Sequence, residues 1–355
     1  MRAALVLASL LNLAGCTAIG PASIQSGRLS YTEAINQTDT QQTLLHIVRN
    51  RYDETSTLLG VSAVAASINI SSSTTISLPF GKPAYYTGSL VPFSGTVQFD
   101  ESPTISYTPV QGRQYMVQFM SPVPLDVLVP LARTAPDPGP LLGLLVSRIN
   151  EVSNPVFVPP PAMQPDARFP RILELIGRLR AVGRLSWALE PGEAARFAIV
   201  ISHYAPAYTQ EVRELVRLLG APEQADTGKP VVLPVVLAVE APDSGGLSVE
   251  TRSVFELLQI MGSVIDLPED HVKAGVVAPS PPLGWAGRGL RIRWAANQPG
   301  NAHVAVQYRG LWYYIEDSDR ATKNAFRVAH ALIAMVIGES IKGTSGAPVL
   351  TVPVK

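Results

Sequence analysis

The clearest pattern in the chain is an alternation. From Val64 to Leu78 the sequence reads VAASINISSSTTISL. Its even positions are Val64, Ala66, Ile68, Ile70, Ser72, Thr74, Ile76 and Leu78, and its odd positions are small or polar. Successive side chains of a strand point to opposite sides, so this period of two predicts a long strand with one apolar face. Pro79-Phe80-Gly81-Lys82-Pro83 predicts a turn. Tyr85, Val91, Phe93, Val97 and Phe99 then alternate with smaller or polar neighbours on a returning strand, with Pro92 at an edge or bulge. A third strand, Thr104 to Thr108, is expected after Pro103.

Helical spacing flanks this region. Ser30 with Glu33, and Thr38 with Gln41, match capping boxes. Leu44, Leu45, Val48 and Tyr52 then recur at helical intervals, which predicts two helices or one kinked helix ending near Arg51. Residues 122–150 read as helical pieces punctuated by proline. Residues 170–186 read as a helix with Ile172, Leu175, Ile176, Leu179 and Val182 toward the core. RFAIVIS (196–202) is a buried strand, Thr209 caps a helix to Leu219, and 231–240 is a strand interrupted by Pro234. Ser253 and Glu256 box a helix through Ser263. RIRW (291–294) and HVAVQYRGLWYYIE (303–316) give three strands, with a tight hairpin at Arg309-Gly310. Asp317 or Ser318 caps a C-terminal helix to Ile337, and APVLTVPV (347–354) ends the chain as a strand.

These elements predict an α+β protein: N-terminal helices with a long antiparallel β-hairpin, then a C-terminal α+β domain. The expected divisions are a signal peptide (1–15), a lipidated tether (16–29), an N-terminal domain (30–153), a proline-rich linker (154–168) and a C-terminal domain (169–355).

The N-terminus supplies an address. Arg2 and the apolar run Ala3–Leu11 have the composition of a secretory signal and are too short to span a bilayer. Leu13-Ala14-Gly15-Cys16 resembles the lipobox of bacterial lipoproteins. The expectation is cleavage before Cys16, acylation of Cys16, and anchorage on the periplasmic side of the outer membrane. Thr17, rather than Asp, after the cysteine favours that membrane by resemblance to enterobacterial sorting. Two or three acyl chains hold a protein stably on a bilayer, at roughly 0.8 kcal/mol per buried CH₂. Cys16 is the only cysteine of 355 residues, so no intrachain disulfide can form. The formal net charge is zero, which argues against a nucleic-acid partner. Charged residues make up only 16% of the chain, a surface suited to contact with other subunits or lipid.

Candidate chemistry is sparse. GTSGAPVL (343–350) resembles the nucleophile region of trypsin-like serine proteases, but the family's upstream histidine segment is missing and little chain follows Ser345. GWAGRG (284–289) lacks both the spacing and the strand context of a dinucleotide loop. The five histidines show no metal-ligand spacing, and Glu269, Asp270 and His271 do not converge on one helix face, so neither metal nor cofactor is expected. LWYYIEDSDR (311–320) is the densest aromatic and acidic cluster. Alternation places Trp312 and Tyr314 on one face and Leu311, Tyr313 and Ile315 on the other. Trp312, Tyr314, Glu316 and Asp317 form the candidate binding set. Arg171, Arg178, Arg180 and Arg184 make a basic helix face that could meet lipid headgroups. Ile68, Ile70, Ile76, Leu78, Val91, Phe93, Val97 and Phe99 are the candidate membrane-facing set, because both hairpin arms reach the length of a transmembrane strand.

Three stretches carry a resemblance: GPASIQSGRLSYTEAINQTDTQQTLLHIVRNRY (20–52), SPTISYTPVQGRQY (102–115) and VAVQYRGLWYYIEDSDRATKNAF (304–326). The chain resembles a family of proteobacterial outer-membrane lipoproteins over nearly all of its mature length. The resemblance implies the lipobox reading of Cys16 and brings no activity or catalytic residue with it. The function expected is a non-enzymatic envelope lipoprotein with a structural, assembly or transport-accessory role and a protein partner or homo-oligomer. The alternatives are a subunit of an oligomeric pore or secretion channel inserting residues 64–99, and a small-ligand binder or enzyme using the 311–319 cluster.

Overall fold

The computed structural model describes residues 31–76, 93–157, 165–190, 196–221, 229–237, 246–342 and 350–353. The fold is α+β. Helix α1 (31–51) is continuous, neither paired nor broken. The Thr38 hydroxyl donates back to the Ala34 and Ile35 carbonyls at 3.0 and 2.9 Å, so Thr38 sits mid-helix and caps nothing. Leu44, Ile47 and Val48 form its fully buried stripe. After it come β1 (Leu58–Ile76), β2 (Phe93–Val110), α2 (Arg113–Met120), α3 (Leu125–Thr134), α4 (Gly139–Leu145), β3 (Val146–Ile149), β4 (Val152–Ser153) and α5 (Arg168–Ala181). Then follow β5 (Leu185–Glu190), β6 (Arg196–Ile201), α6 (Thr209–Leu218), β7 (Val231–Leu237), β8 (Leu247–Thr251), α7 (Val254–Ser263) and α8 (Glu269–Lys273). The chain closes with β9 (Arg293–Ala295), β10 (Ala302–Tyr308), β11 (Leu311–Glu316), α9 (Arg320–Lys342) and β12 (Leu350–Pro353).

Two compact units result, and each is assembled from two separate stretches of the chain. The larger takes in the chain up to Ser56 and Met116–Val336. The smaller takes in Thr57–Tyr115 and Ile337–Lys355. Of the stretch 154–168, expected as a linker, residues 154–157 and 165–167 belong to the larger unit and Arg168 opens α5.

The larger unit holds a six-stranded sheet in the order β4-β3-β8-β7-β6-β5 and a three-stranded sheet in the order β10-β11-β9. Alternation along β5, β6 and β7 buries Leu185, Trp187, Ile199, Ile201, Val231 and Leu233 on one face. Helix α5 packs on β4, β5, α4 and α6, burying Ile172, Leu175, Ile176 and Leu179. Val182 is instead exposed, because α5 stops at Ala181 and Gly183 turns the chain at φ +68°. Thr209 is the first residue of α6 and does not cap it. The box at α7 forms as the sequence implies: the Ser253 hydroxyl accepts from Glu256 N–H, and the Glu256 carboxylate accepts from Ser253 N–H. Helix α9 is long and apolar enough to cross a membrane, but Phe326, Ala329, Leu332, Ile333 and Val336 are buried in the protein. Asp319 caps it, taking bonds from the Thr322 N–H at 3.0 Å and hydroxyl at 2.7 Å.

Among the described residues Arg252 is the largest fully buried side chain. Its Nη1 donates to the carbonyls of Leu144 (2.8 Å) and Val146 (2.9 Å), and its Nη2 to the carbonyl of Asn154. These carbonyls lie at the end of α4 and the strands that follow, where helix geometry leaves acceptors unpaired. Burial lowers the guanidinium pKa to about 10, which still leaves it charged at neutral pH.

The smaller unit is a three-stranded sheet in the order β1-β2-β12. The expected third strand at 104–108 is the continuation of β2 through Pro103. Strands β1 and β2 pair along their whole length, from Leu58 opposite Val110 to Ile76 opposite Phe93, with one irregularity at Val61/Ala63. Leu58, Gly60, Thr108 and Val110 are buried at the base of this ribbon, and Gly60 lies against Ile337 and Ile341 of α9. Strand β12 pairs with β2 only from Thr104 to Tyr107.

Candidate functional site

The aromatic and acidic cluster folds with the faces expected. Tyr313 and Ile315 are fully buried, whereas Trp312 and Tyr314 are half-buried on the other side of β11. Its acids are already occupied. Glu316 pairs with Arg293 at 3.1 Å and accepts from the Asn301 amide at 3.1 Å. Asp317 accepts from the Lys323 ammonium, which holds its carboxyl below the usual range, and His303 lies 3.8 Å away. Carboxylates held in this way brace the hairpin against the start of α9. Neither of two open grooves of about 500 Å³ is lined by any of these four residues.

On the inner side of the same strand lies a network that sequence reasoning missed. The Tyr52 hydroxyl is 2.6 Å from the Tyr313 hydroxyl and 2.7 Å from His271 Nδ1. The Tyr308 ring packs 5.1 Å from that of Tyr52. Arg309 donates to Tyr308 Oη at 3.0 Å and to Glu54 at 2.8 Å, and its guanidinium sits over the Tyr52 ring. Burial is the main cause that raises all three phenols above their ordinary value, so they stay protonated and neutral. The arrangement joins the end of α1 to the β10–β11 hairpin. The Arg309-Gly310 turn places both residues at positive φ, +49° and +79°, the conformation a two-residue hairpin demands.

One constellation has the residue types of a hydrolytic triad. Thr43 Oγ1 is 2.8 Å from His330 Nδ1, and Asp39 stands one turn before Thr43 on α1. Thr43 is only 3% exposed, so no substrate can approach its hydroxyl. Burial raises the Asp39 carboxyl, and His330 partly offsets this. The group pins α1 to α9. The α8 trio also diverges: His271 reaches Tyr52, while Glu269 pairs with Lys273. Among the described residues no three His, Cys, Asp or Glu side chains come together as metal ligands.

The basic face of α5 is largely spent on protein partners. Arg171 forms a two-pronged bond with Glu214 at 2.8 Å and also meets Glu174. Arg178 pairs with Glu211, and Arg180 donates to the Arg133 carbonyl. Three of the four arginines thus tie α5 to its neighbours and are not left for anionic headgroups.

The remaining sequence-derived set lies on the ribbon. The register sets Ile70 opposite Phe99 and Ile76 opposite Phe93, with Ser72 opposite Val97 between them. It sets Asn69 opposite Asp100, Ser71 opposite Gln98 and Ser73 opposite Thr96. Directly opposed residues share a face of an antiparallel ladder, so Ile70, Ile76, Phe93, Val97 and Phe99 fall on one side together with Ser72 and Thr74, and Asn69, Ser71, Ser73, Thr96, Gln98 and Asp100 fall on the other. Ile68 stands opposite Glu101, at the base end of that apolar side. Leu78 and Val91 lie outside the described residues, as do Cys16 and residues 343–349. Beyond Thr104 the ribbon has two strands only: among the described residues, neither β1 nor residues 93–103 of β2 pairs with a further strand.

No protein-family model, curated protein or solved structure matches the chain.

Proposed function

We propose that this is a lipoprotein of the bacterial envelope, anchored through Cys16 to the periplasmic face of the outer membrane, with a structural or assembly role that needs no catalysis. The observation that carries the reading is the β1–β2 ribbon. A two-stranded hairpin is marginal in water, and three or more strands are needed for independent stability. A ribbon with one mainly apolar side, and with both edges unpaired among the described residues, therefore calls for contacts beyond one chain. The lipobox and the low charge of the sequence fit the same setting. The reading as a pore or channel subunit is favoured by the same ribbon. The reading as an enzyme or ligand binder at 311–319 is not, because Glu316 and Asp317 are committed to Arg293, Asn301 and Lys323.

The test is an allele lacking residues 66–103, with Ala65 joined to Thr104 by a short Gly/Ser turn. These two residues are register partners, so the three-stranded base keeps its pairing. The shortened protein should incorporate palmitate and fractionate with membranes, yet give the envelope phenotype of a full gene deletion. Full replacement of the intact protein by the shortened one would overturn the reading. Cys16→Ser should abolish palmitate incorporation.

A further inference from the structure

Resting on the reading of the ribbon as the working element, we infer that its partner is a second copy of the same chain. Copies join edge to edge, β1 of one against residues 93–103 of β2 of the next, until the strands close into an antiparallel barrel whose apolar side faces lipid.

The geometry of the smaller unit leads to this. Each open edge is a row of unpaired backbone donors and acceptors, which in lipid must all be satisfied. A foreign strand would satisfy one edge and leave the other bare. A copy satisfies both, because the ring continues until no edge is left. The two edges of one ribbon also match. Strands β1 and β2 run antiparallel, so β1 of the next copy meets β2 in the same sense as β1 of its own chain.

The base sets the length. Strand β12 occupies the outer edge of β2 from Thr104 to Tyr107, and Pro103 marks the end of that pairing. This leaves 93–103 open on β2, with 66–76 opposite on β1. At about 3.3 Å per residue these segments run roughly 35 Å. Tilted about 45°, they cover about 25 Å, the height of the apolar band of outer-membrane barrels. Charge follows the same limit. Residues 68–76 and 93–99 contain no Asp, Glu, Lys, Arg or Pro. Asp100 and Glu101 fall together at the base end, opposite Asn69 and Ile68. Ile68, Ile70, Ile76, Phe93, Val97 and Phe99 supply the lipid side. Each copy contributes two strands, and the smallest such barrels have eight, so the ring needs at least four copies.

The test is the native mass of the full-length lipidated protein, extracted in mild detergent and measured by light scattering with the detergent mass subtracted. The expected result is a discrete oligomer of four or more protomers, and a single protomer once 66–103 are removed. A single protomer for the intact chain overturns the inference, as does an oligomer that survives the removal. Should the shortened chain fail to fold, Ile70→Arg in the intact chain gives the same readout, with loss of the oligomer expected and its retention contradictory. Function and partner separate cleanly. A monomeric intact protein whose shortened form still gives the deletion phenotype keeps the envelope role and removes self-association. An oligomeric protein whose shortened form is fully active keeps self-association and removes the role proposed for the ribbon.

Discussion

Thr104 is paired with Ala65 on one side and with Pro353 on the other, and it is the last residue of β2 flanked by two strands. Everything distal to this pair among the described residues is a two-stranded ribbon. Everything proximal belongs to a packed base. The base should therefore be sensitive to volume in a way that the ribbon is not. A side chain at Gly60 would run into Ile341 and would stand 2.8 Å from Ile337 Cγ2. Gly60→Val is expected to overpack this contact and lower stability by about 1–3 kcal/mol. Limited proteolysis should then cut near residues 58–60 faster than in the parent protein.

Arg252 gives a second prediction. It supplies donors to the carbonyls of Leu144, Val146 and Asn154 from a fully buried position. Arg252→Met removes these three bonds, and the Val146 carbonyl keeps only its bond from the Asn154 amide, at a cost of roughly 3 kcal/mol. Arg252→Lys should recover little of it, because a single ammonium cannot span acceptors that a planar fork reaches. Urea unfolding should show a lower midpoint for both variants with an unchanged slope.

The Tyr52–Tyr313 bond gives a third. Tyr52→Phe leaves the Tyr313 hydroxyl and His271 Nδ1 without this partner. Each single Phe variant should cost about 1–3 kcal/mol. The double variant should cost less than the sum of the two, with a coupling of about 0.5–3 kcal/mol. Strict additivity in thermal unfolding would show that the two hydroxyls do not act together.

A fourth concerns acid. Both ring nitrogens of His46 are buried with no hydrogen-bond partner among the described residues, and Phe119 meets the ring edge-on at 6.2 Å. Burial is the first cause and Arg49 the second of a pKa lowered to about 4, against 6.5 for a free histidine. Above pH 6.5 the ring is neutral in both folded and unfolded chains and has no effect on the balance. Between 6.5 and 4 only the unfolded chain takes up the proton, so stability falls as pH falls; below 4 the loss levels off. At about 1.4 kcal/mol per unit this amounts to on the order of 3 kcal/mol. His46→Leu should remove that part of the acid dependence, seen as a flatter stability curve from pH 6.5 to 4.

What the sequence made legible was local. The alternation at 64–76 and the Ser253–Glu256 box depend on residues close in the chain, and both appear as read. Proline misled where tertiary context decided. Pro103 and Pro234 both lie inside continuous strands, at points where the strand has a partner on one side only. Strand β12 stops at Thr104, and β8 begins pairing with β7 at Val235. A missing N–H costs nothing at an open side. Side-chain partnerships across the chain were invisible. Tyr52 and Tyr313 are separated by 261 positions, and nothing local marks either as half of a pair. The arginines of α5 read as a free basic face because Glu211 and Glu214 belong to another helix. A fully buried Arg252 runs against the surface habit of its residue type and has no sequence signature.

Whether the ribbon enters lipid is tested most directly by a spin-label scan of residues 68–76. Cys16 is the only native thiol and is the expected acylation site, so each introduced cysteine can be labelled alone. The full-length protein is reconstituted in lipid vesicles and the label's accessibility to oxygen and to a water-soluble relaxant is measured at every position. A ribbon seated in a lipid-facing barrel gives a period of two, with labels at 68, 70, 72, 74 and 76 in contact with lipid and those at 69, 71, 73 and 75 in contact with water. Labels that all meet water, or accessibility without alternation, would contradict it.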